Sequence, residues 1–398
     1  MRGRRLGTLV LLCALALAAP YGAASEEAAE REWLVLVYAS ALNDRGLDGA
    51  ARELVRGLEK GGPGDRVAVV IRHGMLEKGA GGAPQFPRPL TPVLMAGNPG
   101  ERAGASPVVE TSPIQDMAGE NALYAFARRN IARYPAEKIA LFYFGRGEGL
   151  AGLGRDDLSG NITSVPGFAR TLARVRAAAG KKVDLLVVDA DFMQTAEAVY
   201  EWRDGADLIV GTAGKSPRLG YLVDLALGDL AADPSMGPKE LASAFVYYAE
   251  NRVTSAVRTE KIPQFVERLD RWAAAVTGDP EAVKAAREAA GRTYAYDSGG
   301  CRDLDEFVAR VGEALPEGHP ARAAGLELRG YLEEELLPSR SRNFPERAAG
   351  DPRAGAEYER AAGLGIYLPE RIYDSSRYES LAFASASKWR DFLLALLR

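Results

Sequence analysis

The sequence predicts a doubly wound α/β fold: a mostly parallel sheet with helices on both faces, followed by a mainly helical C-terminal subdomain. Three observations predict it. Five short apolar runs are typical of buried parallel strands, and the segments between them have helical periodicity. After Asp233, amphipathic helical patterns dominate the sequence. Because strands alternate with helices, both faces of the sheet should be covered. The 398 residues, 47% hydrophobic and 26% charged, are those of an ordinary globular protein.

The predicted elements follow one another in the order that this fold requires. Strands are predicted at residues 33–38, 66–71, 138–144, 183–189 and 206–212, and helices at 49–58, 121–131, 165–178 and 195–202. Residues 77–113, rich in Gly, Pro and Ala, predict a long surface excursion, with a partly ordered segment as the alternative. Later helices are predicted at 238–251, 262–276, 280–292, 304–315 and 388–397, with a returning strand near 363–369. The chain thus divides into a leader (1–25), an α/β core (31–230) and a helical C-terminal subdomain (231–398).

The first residues have the pattern of a secretory signal peptide. Three arginines precede an apolar run over residues 6–19, and the small residues Gly22, Ala24 and Ser25 follow it. An uncleaved membrane anchor is the alternative, although the run is shorter than the roughly 20 apolar residues that span a bilayer. We therefore expect an exported protein, periplasmic or secreted, with no membrane segment beyond this one.

Composition narrows the possible chemistry. Loss of the leader removes three of the 50 basic residues and leaves 47 against 54 acidic ones, so no nucleic-acid partner is predicted. Cys13 belongs to the leader, so Cys301 is the single remaining thiol and no internal disulfide can form. Only His73 and His319 are available for base or zinc chemistry. We expect His73 in a loop and His319 in a solvated turn.

Ligand chemistry is expected at two strand ends, because ligands collect at the carboxyl ends of the strands in an open α/β sheet. The third strand runs into Gly-Arg-Gly-Glu-Gly, which contains Arg146. The fourth strand runs into Asp-Ala-Asp-Phe-Met, which contains Asp189 and Asp191. Parallel neighbours would bring these segments to one edge of the sheet.

These strand ends resemble those of the clostripain-like cysteine peptidases, a family with a caspase-type fold. In that family the third strand ends in His-Gly and the fourth in Asp-Ala-Cys-Leu-Met, followed by a helix with Glu and Tyr. Here Asp189, Met193, Glu197 and Tyr200 keep the pattern. The resemblance extends to residues 33–38, 254–269, 303–308, 363–369 and 378–393, of which 254–269 match a helical segment. It implies a caspase-like α/β core.

The two catalytic positions depart from the family. Arg146 stands where the resemblance places the general-base His, and Asp191 stands where it places the nucleophilic Cys. A guanidinium stays protonated at ordinary pH, and a carboxylate is a poor nucleophile toward an amide. Loss of either member of such a pair costs several orders of magnitude in rate. We therefore expect no catalytic residues and predict a pseudopeptidase, with peptide or protein binding as its remaining role.

Further roles are predicted for the same residues. Arg146 and Asp191 could form an ion pair that joins the two loops, or both could point into water. By the resemblance, Asp189 lines a pocket for a basic side chain, which makes peptides or proteins with exposed Arg or Lys the expected partners; a capping or core-bonded Asp is the alternative. No metal or other cofactor is predicted. Calcium enters by resemblance only, since Asp156 and Asp157 are too few to define a site.

Two alternatives to an inactive homologue stay open. An active peptidase that cleaves after Arg or Lys would need an unidentified nucleophile, and Cys301 lies away from the fourth strand. A Mg²⁺-dependent phosphatase would use Asp189 as its nucleophile, because an apolar strand precedes an Asp-x-Asp pair. That motif, however, normally opens its domain.

Overall fold

The structure is a computed structural model that describes residues 31–40, 47–61, 64–73, 90–95, 108–113, 116–156, 159–216, 220–250, 253–296, 300–341 and 360–398. The predicted leader, residues 1–25, lies outside these ranges. Within them, no helix combines the length and the apolar character that crossing a membrane requires.

A nine-stranded sheet forms the centre of the described structure, and a second sheet has two strands. The strands are β1 (Arg31–Ser40), β2 (Val67–His73), β3 (Leu90–Met95), β4 (Val108–Pro113), β5 (Ala136–Gly145), β6 (Val183–Asp189), β7 (Ala206–Thr212), β8 (Thr254–Arg258), β9 (Cys301–Asp303), β10 (Ser339–Arg340) and β11 (Gly365–Tyr367). The large sheet has the order β10-β8-β7-β6-β5-β1-β2-β3-β4, while β9 and β11 form the small one. Strands β7, β6, β5, β1 and β2 are parallel, and antiparallel strands extend both edges.

The helices of the described residues cover both faces of the large sheet. They are α1 (Asp48–Gly61), α2 (Glu120–Arg133), α3 (Val165–Ala179), α4 (Ala196–Trp202), α5 (Val223–Ala232), α6 (Pro238–Tyr247), α7 (Ile262–Thr277), α8 (Pro280–Arg292), α9 (Leu304–Glu313), α10 (Pro320–Tyr331), α11 (Ser375–Tyr378), α12 (Ala382–Ala386) and α13 (Trp389–Leu397). The five parallel strands coincide with the five predicted ones. The predicted fold class, a mostly parallel α/β sheet with a helical C-terminal region, is therefore confirmed.

The alternation of side chains along β1 shows how the sheet is buried on both faces. Leu34 and Leu36 belong to one apolar cluster with α2, α3, α4 and the C-terminal helices, whereas Val35 and Val37 belong to a second cluster with α1, α5 and α6. Successive side chains of a strand point to opposite faces, so an entirely apolar strand requires cover on both.

Local signals fix the helix that follows β5. The Ser164 hydroxyl accepts a hydrogen bond from the Gly167 amide and caps the start of α3, with proline in the first turn. Gly180 ends the helix in the left-handed conformation, with φ of 72°. This capped helix leads directly into β6 and so sets the position of the strand that ends at Asp189.

Three predictions are wrong in detail. Residues 254–269, expected as one helix, begin with strand β8, and the helix α7 starts only at Ile262. By contrast, strands β3 and β4 within the excursion predicted at 77–113 agree with the alternative that this segment is partly ordered. His73 is the buried last residue of β2 rather than a loop residue, and His319 caps the start of α10 rather than lying in a solvated turn. The C-terminal half also contributes β8 and β10 to the large sheet.

Candidate functional site

The carboxyl ends of β5 and β6 lie side by side, since Phe144 is opposite Asp189 in the parallel register. Beyond the strands the two backbones touch: a Cβ atom placed on Gly147 would lie 1.9 Å from the Asp191 carbonyl oxygen. The structure thus places positions 146 and 191 next to each other, just beyond the carboxyl ends of β5 and β6. An ion pair between Arg146 and Asp191 stays a prediction.

The turn that carries Asp191 is held in an unusual backbone conformation. Phe192 has a φ of 60° and is the sole non-glycine residue with a positive φ in the described part of the chain. Such a conformation costs about 1–3 kcal/mol and persists where its surroundings fix it. Here the Phe192 amide donates to the Gly214 carbonyl at 3.1 Å, and Asp191 Oδ1 accepts from the Ser216 amide at 2.6 Å. The segment after β7 therefore fixes this turn.

Asp189 is buried and anchors the same segment. Its Oδ1 accepts from the Ser216 hydroxyl at 3.0 Å, and its Oδ2 accepts from the Gly220 amide at 3.1 Å. Burial raises the pKa of Asp189 to about 7; these hydrogen bonds lower it, whereas the charge of nearby Asp191 raises it further. The carboxyl thus exchanges its proton near neutral pH.

This placement bears on two of the predicted roles of Asp189. A carboxylate has about four lone-pair sites, and Asp189 already accepts from Ser216, from Gly220 and from the Tyr221 amide, so about one site is left for a basic side chain. Its role in a basic pocket stays a prediction. As a phosphatase nucleophile it is poorly placed, because it is only 2% exposed and both oxygens already accept hydrogen bonds.

The other candidate nucleophile and bases lie on different elements. Cys301 is a buried residue of β9, opposite Tyr367 of β11 in the small sheet. His73 ends β2, which is separated from β6 by β1 and β5. His319 accepts from the Ala321 amide at 3.1 Å as the N-cap of α10. The structure therefore places none of the three on β5 or β6, whose ends carry Arg146 and Asp191.

Asp156, one of the two acids considered for calcium, accepts hydrogen bonds that hold its own loop in place. Asp156 is buried; its Oδ2 accepts from the Met117 amide at 3.2 Å and its Oδ1 from the Ser159 amide at 3.0 Å. Asp157 lies outside the described residues. Among the residues that are described, no group of three or more His, Cys, Asp or Glu side chains could hold a metal ion.

Sequence reasoning missed the residues that hold this edge together. Ser216 and Gly220 come from the segment after β7, and nothing local in that segment points to Asp189. Gly147 had a visible signal, because glycines on both sides of Arg146 favour a close backbone approach. That signal predicts tight packing but does not identify Asp191 as the neighbour.

Comparison with known proteins gives one family match and several similar structures. Residues 101–277 match the model of the clostripain family, Peptidase_C11. No curated protein sequence matches the chain.

Solved structures of C11 peptidases share the fold. A secreted C11 cysteine protease from Bacteroides thetaiotaomicron, in complex with an irreversible peptide inhibitor, is 14% identical with a TM-score of 0.64, covering 90% of this chain and 99% of its own. A second structure of a secreted C11 protease from the same organism has 12% identity, a TM-score of 0.66 and the same coverage. An inactive zymogen C11 protease from Parabacteroides distasonis has 15% identity and a TM-score of 0.61, covering 89% of this chain and 97% of its own. The resemblance predicted from sequence is therefore confirmed at the level of family match and fold.

Proposed function

We propose that this chain, which matches the clostripain-family model over residues 101–277 and shares the fold of C11 peptidases, has lost catalysis and keeps the scaffold as a binding module for peptides or proteins with exposed Arg or Lys. The observation that carries the proposal is the identity of the residues at the paired strand ends. Arg146 and Asp191 lie at the carboxyl ends of β5 and β6, and together they supply neither the imidazole base nor the sulfur nucleophile of a cysteine peptidase. We further propose that the chain is exported, since its first residues have the pattern of a signal peptide.

Asp189 is the proposed anchor for the basic side chain. Its pKa of about 7 means that the carboxyl becomes negatively charged as the pH rises through neutrality. A cationic side chain binds the ionised form better, so affinity should increase from pH 6 to pH 8. An Asp189→Asn variant should bind more weakly and lose this pH dependence.

The test of inactivity is turnover of fluorogenic peptides with Arg or Lys before the cleavable bond, with and without calcium. The natural protein should be silent. A double variant, Arg146→His with Asp191→Cys, should gain measurable turnover if the rest of the site is retained. Binding of the same peptides by fluorescence anisotropy then tests the module separately, with Asp189→Asn as the matched control.

The alternative is an active peptidase that uses another nucleophile, and the same turnover assay distinguishes it from an inactive protein. Turnover by the natural protein that survives Cys301→Ala would place the nucleophile elsewhere and refute the inactive assignment. Turnover abolished by Cys301→Ala would assign it to β9. Magnesium-dependent hydrolysis of a phosphomonoester, abolished by Asp189→Asn, would instead support the phosphatase.

A further inference from the structure

Helices α2 and α3 present positive charge to solvent, on a chain in which 54 acidic residues outnumber 50 basic ones. The two helices together contain six arginines and a single acid, Glu120. The arginines are Arg128, Arg129 and Arg133 of α2 and Arg170, Arg174 and Arg176 of α3. Five of them are exposed and Arg174 is partly exposed. We call the surface that these six arginines form the basic face.

The basic face is continuous because α2 and α3 pack side by side on one side of the large sheet. Their apolar sides, which include Phe126 and Phe168, belong to the same buried cluster. Between the helices, Arg174 Nη1 donates to Asn121 Oδ1 at 2.8 Å, and its guanidinium lies 3.9 Å from the centroid of the Tyr124 ring. The polar sides of both helices therefore face solvent together.

The charge of the basic face is only partly neutralised within the fold. Arg170 forms an ion pair with Glu120, which cancels one positive charge. Arg128, Arg174 and Arg176 form no ion pair with a described residue, and the groups that they contact are a tyrosine ring, an amide oxygen and a backbone carbonyl. These neutral contacts orient the guanidinium groups and leave their charge available to an anionic partner.

The size and composition of the basic face favour an extended anionic surface over a folded protein partner. Helices of 14 and 15 residues are about 21 and 22 Å long, and packed helices lie about 8–10 Å apart. The charges are therefore spread over an area much larger than one phosphate or carboxylate. Stable protein interfaces have aromatic or other apolar anchors at their centre, and no large hydrophobic side chain of α2 or α3 is exposed. Anionic lipid headgroups need no such anchor, because each Lys or Arg near them adds its own attraction.

The position of the basic face in the fold also favours a membrane. Helix α2 ends just before β5 and α3 just before β6, so their last turns lie at the amino ends of the strands, opposite the edge that carries Asp189. Strand β1 begins at this same end, where Arg31 and Arg133 lie 5.9 and 5.4 Å from the centroid of the Tyr134 ring. The predicted leader ends at residue 25, and the chain from there to Arg31 reaches at most about 22 Å. The basic face is therefore close to the segment that is predicted to contact a membrane.

We propose that the basic face docks the exported protein onto an anionic membrane surface, with its guanidinium groups against the phosphates of the lipid headgroups. The contact is peripheral and needs no membrane-spanning segment. It leaves the carboxyl ends of β5 and β6 open to solvent, where the peptide partner is proposed to bind. Because the two sites share no residue, either proposal can fail while the other holds.

The experiment is co-sedimentation of the exported, purified protein with lipid vesicles. Vesicles of equal parts phosphatidylcholine and phosphatidylglycerol should bind the protein at about 0.05 M salt and release it at about 0.5 M, because salt screens exposed charges. Vesicles of phosphatidylcholine alone measure any contribution of a retained leader. Each arginine near an anionic surface contributes about fivefold to binding. A triple variant, Arg128→Gln with Arg174→Gln and Arg176→Gln, should therefore bind about 100-fold more weakly.

Two further variants separate the basic face from net charge and from misfolding. Arg56→Gln with Arg292→Gln and Arg371→Gln makes the same change in net charge on exposed arginines of other elements, and it should bind like the natural protein. Lysine at positions 128, 174 and 176 keeps the charge and should keep most of the binding.

Four results would overturn the proposal. They are equal binding to neutral and anionic vesicles, binding that the glutamine variant of the basic face leaves unchanged, an equal loss in the control variant, and a loss in the lysine variant as large as in the glutamine variant. Binding to soluble polyglutamate without binding to anionic vesicles would assign the basic face to an acidic polypeptide, and it would overturn the membrane assignment as well.

Discussion

Glu197 should make the folded protein less stable as the pH rises, and Glu197→Gln should remove that effect. Burial raises the pKa of Glu197 from 4.5 to about 7, and the hydrogen bond from the Tyr367 amide only partly offsets it. Between these two pH values the folded state keeps a proton that the unfolded chain has released. The free energy of unfolding therefore falls as the pH rises from about 4.5 to about 7 and stays low above it.

The size of this loss follows from the displacement of the pKa. At about 1.4 kcal/mol per pKa unit, the fully buried carboxyl accounts for about 3 kcal/mol between pH 5 and pH 8. Glutamine keeps the oxygen that accepts from Tyr367 and carries no titrating proton. Burying an amide without a full set of partners costs about 1 kcal/mol at every pH. The variant should therefore be about 1 kcal/mol less stable than the natural protein at pH 5 and up to about 2 kcal/mol more stable at pH 8.

Urea denaturation followed by tryptophan fluorescence at pH 5, 6, 7 and 8 measures this difference. The comparison is made at each pH, because burial also raises the pKa of Asp189 to about 7 and that of Asp303 to about 6, and both add their own losses. Glu334→Gln serves as the exposed control and should follow the natural protein. If Glu197→Gln differs from the natural protein by the same amount at every pH, the reasoning about Glu197 is wrong.

Two packing predictions accompany it. Gly147→Ala should destabilise the protein by more than about 2 kcal/mol in urea denaturation, because its Cβ would lie 1.9 Å from the Asp191 carbonyl oxygen. The control is Gly228→Ala in helix α5, which has open space around it and should stabilise the protein by about 0.5–1 kcal/mol. Equal effects of the two would refute the close approach. Trp389→Ala should cost about 3–5 kcal/mol, since the ring is fully buried in the aromatic cluster of the C-terminal helices, and Tyr247→Ala, 81% exposed, should cost little by the same measurement.

The parallel strands were predictable from sequence because their signal is local. Runs such as Val183–Asp189 and Ala206–Thr212 are dense in apolar and β-branched residues, and burial on both faces leaves them little alternative to a central strand. The antiparallel edges carry no such signal. Strand β3 contains Pro92, a residue that argues against a strand, and β8 is only five residues long. Helix α5 is apolar on most sides and so shows no clear period.

The candidate site likewise has one part that the sequence predicts and another that it does not. Arg146 and Asp191 lie together because β5 and β6 are parallel neighbours whose carboxyl ends point the same way. The alternation of strands and helices in the sequence predicts that arrangement. The contacts of Asp189 with Ser216 and Gly220 depend on the path of a loop about 30 residues away, which no periodicity encodes. The burial of Glu197 is equally invisible in sequence, since it depends on the contact of α4 with β11 of the small sheet.

The contacts that hold the ends of β5 and β6 together are made largely by the backbone and by Asp189. The Gly147 backbone packs against the Asp191 backbone, the Phe192 amide bonds the Gly214 carbonyl, and Asp189 binds the segment after β7. These three contacts do not use the side chain at position 146 or 191, although the Asp191 carboxylate adds a fourth by accepting from the Ser216 amide. Asp191→Cys removes the bond from the Ser216 amide, at a cost of about 1–3 kcal/mol. The Arg146→His, Asp191→Cys variant should therefore still fold, with its unfolding midpoint lowered by an amount in that range, and a collapse of the fold would mean that the two side chains have become structural.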